Sequence, residues 1–196
     1  MRGQSALNIL MNKLRRYTLN LSLGEDIMAE AILEKIPAEK RWEISSKAFT
    51  GACVGFNQTL LRILGKEKIA ETASKIWGED GKTFLPMIKE SFKIPVKDAI
   101  GAANLADVAI VLSWGPECEI ERIMETEKKV VDIWTKCPFW ERAKEFGVTA
   151  QYDCVPGCST WTEKGLEAIN PKLMVRITKA LPRGDPYCEF VYELKE

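Results

Sequence analysis

Apolar positions in the first half of the chain recur at three- and four-residue spacing. In the last third they recur at every second position. Ile27, Met28, Ala31, Ile32 and Ile36 mark one face of an amphipathic helix, interrupted by Pro37. A second helix is predicted from about Gly51 to Leu64, with Phe56, Leu60, Ile63 and Leu64 on its inner face and Gly65 as its stop. The same spacing predicts a third over Glu67 to Trp77, ended by Gly78, and a fourth over Lys82 to Phe92. A fifth runs over Lys97 to Ser113, stopped by Gly115 and Pro116. Ala99 to Trp114 is the most apolar stretch. Its Asn104 and Asp107, and its length, suit a buried helix and not a membrane span.

After Pro116 the pattern changes. Glu119 to Glu125 and Lys128 to Lys136 are rich in isoleucine and valine, and Thr126 with Glu127 joins them at hairpin spacing without the favoured glycine. Pro138 to Phe146 is a short helix with proline in its first turn, closed by Gly147. Ala150 to Gly157 reads as a loop, and Thr160 to Ile169 as another short helix. Lys172 to Ala180 and Tyr187 to Leu194 alternate with period two, and Pro182 to Pro186 turns between them. The class is therefore α+β: N-terminal helices followed by an antiparallel sheet of about four strands, with two short helices inserted. We read residues 1–196 as one domain, mainly helical over 1–115 and sheet-containing and cysteine-rich over 116–196.

Composition narrows the chemistry. Lysine plus arginine (28) equals aspartate plus glutamate (28), so no net field draws the chain to nucleic acid, and the one basic cluster is Lys13, Arg15 and Arg16. No secretory signal or membrane span is read, which places the chain in the cytoplasm, where six cysteines favour thiols or metal ligands over disulfides. The N-terminal helices are long and apolar enough to pair, which leaves room for a homodimer. The chain has no histidine. That excludes Ser-His-Asp and Cys-His catalytic units, His-rich zinc sites and His-ligated haem.

Cysteine is then the residue to follow. Cys53, among small apolar residues of a helix, reads as a structural thiol, and Cys118 has no assigned role. Cys137 ends a strand, Cys154 and Cys158 bracket Val155-Pro156-Gly157 on a loop, and Cys188 opens the last strand. Strand end, loop and strand start meet at one sheet edge if the hairpins pack as drawn. Four thiolates there suit zinc or an iron–sulfur cluster. A reactive cysteine site and plain packing are the two alternatives, since Cys188 alternates in step with Phe190, Tyr192 and Leu194. Asp185 shapes a turn or supplies a carboxylate. Arg176 and Lys179 line a pocket or face water. Trp134, Phe139, Trp140, Tyr152 and Trp161 wall a small-molecule pocket or fill the core.

Read in order, Cys137-Pro138-Phe139, Cys154, Ile169-Asn170-Pro171-Lys172-Leu173, Arg176-Ile177-Thr178-Lys179-Ala180-Leu181 and Gly184-Asp185-Pro186-Tyr187-Cys188-Glu189-Phe190 resemble the L-2-amino-thiazoline-4-carboxylic acid hydrolase-like family. The resemblance implies binding of a small heterocycle and hydrolytic opening of a cyclic C–N bond. Cys154 or Cys188 would be the nucleophile, with Asp185 or Glu189 assisting proton transfer. The same ending resembles the vinyl-four-reductase domain, a small-molecule-binding module. That domain's zinc ligands would fall at Ala180 and Ile177, so its site does not carry over intact. The alternative function is a non-catalytic binding or sensor module with a structural metal on Cys137, Cys154, Cys158 and Cys188.

Overall fold

A computed structural model of the chain describes residues 32–195. Contacts divide the chain into residues 1–42 and 43–196, and the sheet, the core and the candidate site all belong to the second unit. The first part of the Ile27 to Ile36 helix lies outside the described residues; 32–34 are helical and the turn falls before Pro37.

Helix α1 spans Ala38–Leu64, well beyond its predicted start at Gly51. It opens at once after Pro37, whose carbonyl accepts from Arg41 N–H at 3.0 Å. Its inner face is not the apolar one. Ser46, Thr50, Val54 and Gln58 are buried, while Phe56 and Ile63 are 64% and 72% exposed. Short polar side chains can face inward here because the helix satisfies them itself: Ser46 Oγ donates to the Glu43 carbonyl at 3.2 Å and Thr50 Oγ1 to the Ser46 carbonyl at 2.9 Å. Apolar periodicity therefore points to the wrong side of α1.

Helix α2, Lys66–Phe92, is continuous through the two predicted helices. Gly78 is not a stop, and it and Gly81 are contact points for α5, Val155–Ile169. A β-carbon on Gly81 would lie 2.1 Å from the Trp161 carbonyl oxygen, and one on Gly165 would lie 2.8 Å from the Gly81 oxygen. The two backbones touch, and Trp161 Nε1 fixes their register by donating to Asp80 Oδ2 at 2.7 Å.

Helix α3, Ala99–Trp114, is apolar on nearly every side and buried along its length, as a central helix must be. Asp98 caps it, accepting from Gly101 N–H at 2.8 Å. Four antiparallel strands form where strands are predicted: β1 Glu119–Glu125, β2 Lys129–Lys136, β3 Leu173–Lys179 and β4 Cys188–Leu194, in the order β1-β2-β4-β3. In the β1–β2 hairpin, Thr126 stands in for the missing glycine: its Oγ1 accepts from Lys129 N–H at 2.9 Å. Helix α4, Pro138–Glu145, lies between β2 and α5 along the chain. The sheet's inner face carries Val130, Trp134, Phe190, Tyr192 and Val175, all buried in the core shared with α3. The structure is α+β as predicted. No helix of the described residues is long and apolar enough to cross a membrane.

Candidate functional site

Each cysteine is placed by a local rule. Cys137 leaves β2 in extended conformation and is the N-cap residue of α4, directly before Pro138. Cys154 is the N-cap of α5, and Cys158 N–H donates to its carbonyl at 2.9 Å. The predicted loop placement of Cys158 is thus corrected: Val155-Pro156-Gly157 is the first helical turn, so Cys154 and Cys158 lie one turn apart on one side of α5. Proline is tolerated there because first-turn N–H groups have no intrahelical partner. Gly157 is required because a β-carbon would sit 2.6 Å from Trp77 Cδ1.

Cys137, Cys154 and Cys158 line one pocket, joined by Cys53 of α1. Its walls include Trp77, Trp114, Phe139 and Tyr152; its polar groups are Asn57 and Asp153. The cavity it encloses is small, about 50 Å³. Trp114 organises the apolar wall, meeting Phe139 edge-on at 4.8 Å and Trp161 at 6.0 Å. Asp153 sits at the rim with its charge partly engaged. Oδ1 accepts from Val155 N–H at 3.0 Å, and Oδ2 faces Arg183 at 3.4 Å.

Other expected residues fall elsewhere. Cys188 is buried opposite Trp134, does not line the pocket, and its sulfur accepts from Leu181 N–H at 3.4 Å. Asp185 shapes the turn, its Oδ2 accepting from Ala180 N–H at 2.7 Å. Arg176 pairs with Glu193 at 3.0 Å and Lys179 with Glu189 at 3.5 Å, both away from the pocket. Cys53, read as purely structural, faces the pocket. Sequence spacing does not single out Trp77, Trp114 or Asn57; Asp153 alone carries a signal, as the carboxylate next to Cys154.

Burial dominates the thiols. It pushes Cys137 up to about 12, although the N–H groups of Trp140 and Phe139 pull the other way. Cys118 is likewise pushed to about 12, first by burial and then by Cys137. Burial raises Cys154 and Cys158 well above the ordinary thiol value, and Cys188 and Cys53 are raised too. The pocket therefore holds neutral thiols at neutral pH, the reverse of the lowered value an activated nucleophile needs. Against an ordinary thiol at 9.0, Cys137 has roughly a thousandfold less thiolate at a given pH. Alkylation of the native protein near neutral pH is expected to spare Cys137 until denaturant is added, as mass mapping of labelled peptides would read.

Electrostatic coupling links Cys137 with Cys154, Cys158 and Cys188, so the four are neighbours. Yet among the described residues no three Cys, Asp or Glu side chains form a group able to hold a metal ion. The reading of a zinc or iron–sulfur site therefore gains no support from the geometry.

The family described as L-2-amino-thiazoline-4-carboxylic acid hydrolase matches residues 44–192. No curated protein matches the chain. Among solved structures, the phenol-responsive sensory domain of the transcription activator PoxR, crystallised with phenol, is similar at a TM-score of 0.56 and 12% identity, covering 74% of each chain. A trafficking protein particle complex subunit 3 from Naegleria fowleri, covalently bound to palmitic acid, is similar at 0.55 and 14% identity, covering 78% of this chain and 96% of that one. At such identities the likeness is one of fold.

Proposed function

The chain belongs to the L-2-amino-thiazoline-4-carboxylic acid hydrolase family, and from that premise we propose that it binds a small planar heterocyclic or aromatic molecule in the thiol-lined pocket. The pocket itself carries this reading. Aromatic walls supply stacking surface, and Asn57 and Asp153 supply the few polar groups that orient a ligand. The phenol of the PoxR sensory domain and the palmitic acid of the trafficking subunit favour the same use of the fold.

Binding is better supported than turnover. The thiols are neutral and Asp185 is spent on its turn, so the hydrolytic role of Cys154, Cys188 and Asp185 rests on the family description alone. Hydrolysis would need a base at the pocket, and Asp153 is the carboxylate that lines it.

Titration with 2-amino-thiazoline-4-carboxylate and with phenol, followed by tryptophan fluorescence, tests the reading. Trp77 and Trp114 on the wall should report saturable quenching. Ala73→Phe, which fills the pocket from α2, should weaken it roughly tenfold or more. Equal binding by the filled variant would place the ligand elsewhere. Ring opening in the same samples, read by mass spectrometry as the gain of one water by the heterocycle, would separate an enzyme from a binding module.

A further inference from the structure

Asp107 of α3, Asp132 of β2 and Arg122 of β1 meet where the helix lies on the sheet. Arg122 Nε donates to Asp132 Oδ1 at 2.8 Å, and its Nη2 to Asp132 Oδ2 at 3.1 Å. The same Nη2 donates to Asp107 Oδ2 at 2.9 Å, while Nη1 reaches Asn104 at 2.7 Å and Glu125 at 3.0 Å. Three carboxylates thus share one guanidinium, and the Asp132 side chain is 0% exposed. Two buried atoms of this seam have no hydrogen-bond partner among the described residues: Asp107 Oδ1 and the Tyr192 hydroxyl of β4. Tyr192 lies within electrostatic reach of both aspartates, and Cys118, just before β1, within reach of Asp107.

Charge counting sets three carboxylates against one guanidinium, with Asp132 wholly buried and Asp107 mostly so, and one proton reduces the negative surplus. We propose that Asp107 carries that proton, and that it latches α3 onto the sheet and holds the Trp114 wall of the pocket in place. The link to Trp114 is geometric. Asp107 and Trp114 are seven residues apart, two turns along one face of α3. Trp134, two residues beyond Asp132 on the same face of β2, meets Trp114 edge-on at 6.2 Å.

Burial first, and the Asp132 charge second, push the Asp107 carboxyl from 3.8 up to about 7, against the pull of Arg122. A folded-state value above the unfolded one means that folding takes up a proton. The stabilisation is fully present below about pH 4 and is lost as pH rises towards 7. The chain has no histidine, and burial moves the described thiols upward, away from neutrality. Of the described side chains shifted by their surroundings, Asp107 is the one brought to neutral pH.

The latch belongs to the fold and is read without ligand. Carbon-13 carboxyl resonances and the Trp114 indole N–H would be followed from about pH 5 to 8.5, with Trp114→Phe assigning the indole. Thermal melts would be compared with Asp107→Asn over the same range. The expected result is a carboxyl titrating near neutrality in the wild type and absent in D107N, with the Trp114 resonance moving at the same midpoint. Tm should fall by several degrees from about pH 6 to 8.5 in the wild type and stay level in D107N. Parallel melts, no carboxyl titrating between about pH 6 and 8, or an indole that ignores the transition would each overturn the proposal.

Discussion

Gly81→Ala is expected to destabilise the protein by about 3 kcal/mol or more, although alanine is the better helix former. Two effects of opposite sign meet at this position. Intrinsic propensity favours alanine over glycine by roughly 1 kcal/mol in a helix interior. The added β-carbon, however, would sit 2.1 Å from the Trp161 carbonyl oxygen and 2.9 Å from its carbon. Both are backbone atoms, so no rotamer change relieves the overlap and the two helices must separate. Separation loosens the Asp80–Trp161 hydrogen bond and the seat of Leu85 against Gly165. For a chain of this size the loss corresponds to a Tm lower by about 6–12 °C. A calorimetric melt reads it, and Gly55→Ala in α1 is the control, because a β-carbon there meets nothing within 4 Å. A Gly81→Ala melt at or above wild type would mean that α2 and α5 do not touch through their backbones.

That contact also explains where sequence reading succeeds and where it fails. Strands are legible because alternation is a property of one strand and its burial: β3 and β4 fall within a residue or two of their predicted ends. Helix α3 is legible because it is apolar all round. Gly78 in α2 looks like a stop because close approach between helices leaves the same mark as a turn. Pro156 and Gly157 look like a loop for a similar reason, and this hides the helical placement of Cys158. The candidate site is half visible. Cys137, Cys154 and Cys158 group together because β2, α4 and α5 follow one another closely along the chain. Cys53, Asn57, Trp77 and Trp114 come from the helical front half, and no sequence spacing connects them to the cysteines. The thiols' protonation is hidden too, since burial, not neighbouring sequence, sets it.

Arg122→Met is expected to cost about 3–5 kcal/mol, and removing the surrounding charge with it is expected to restore most of that loss. The asymmetry follows from desolvation. Asp132 is fully buried and holds a bidentate pair with Arg122, so methionine would leave a carboxylate with neither water nor a counterion. Asp107 would lose the guanidinium that sits 2.9 Å from its Oδ2 and, with that pull gone, would hold its proton more tightly, leaving Asp132 as the uncompensated charge. By contrast, Arg122→Met combined with Asp132→Leu and Asp107→Leu replaces the network by apolar groups of comparable size, and burying a complete ion network is itself close to neutral. Urea unfolding at neutral pH would read the single, the triple and the wild type. Recovery by the triple would identify the seam as a device for registering α3 on the sheet. If the triple were as unstable as the single, the loss would lie in packing against Arg122's methylene stem, and the charges would matter little.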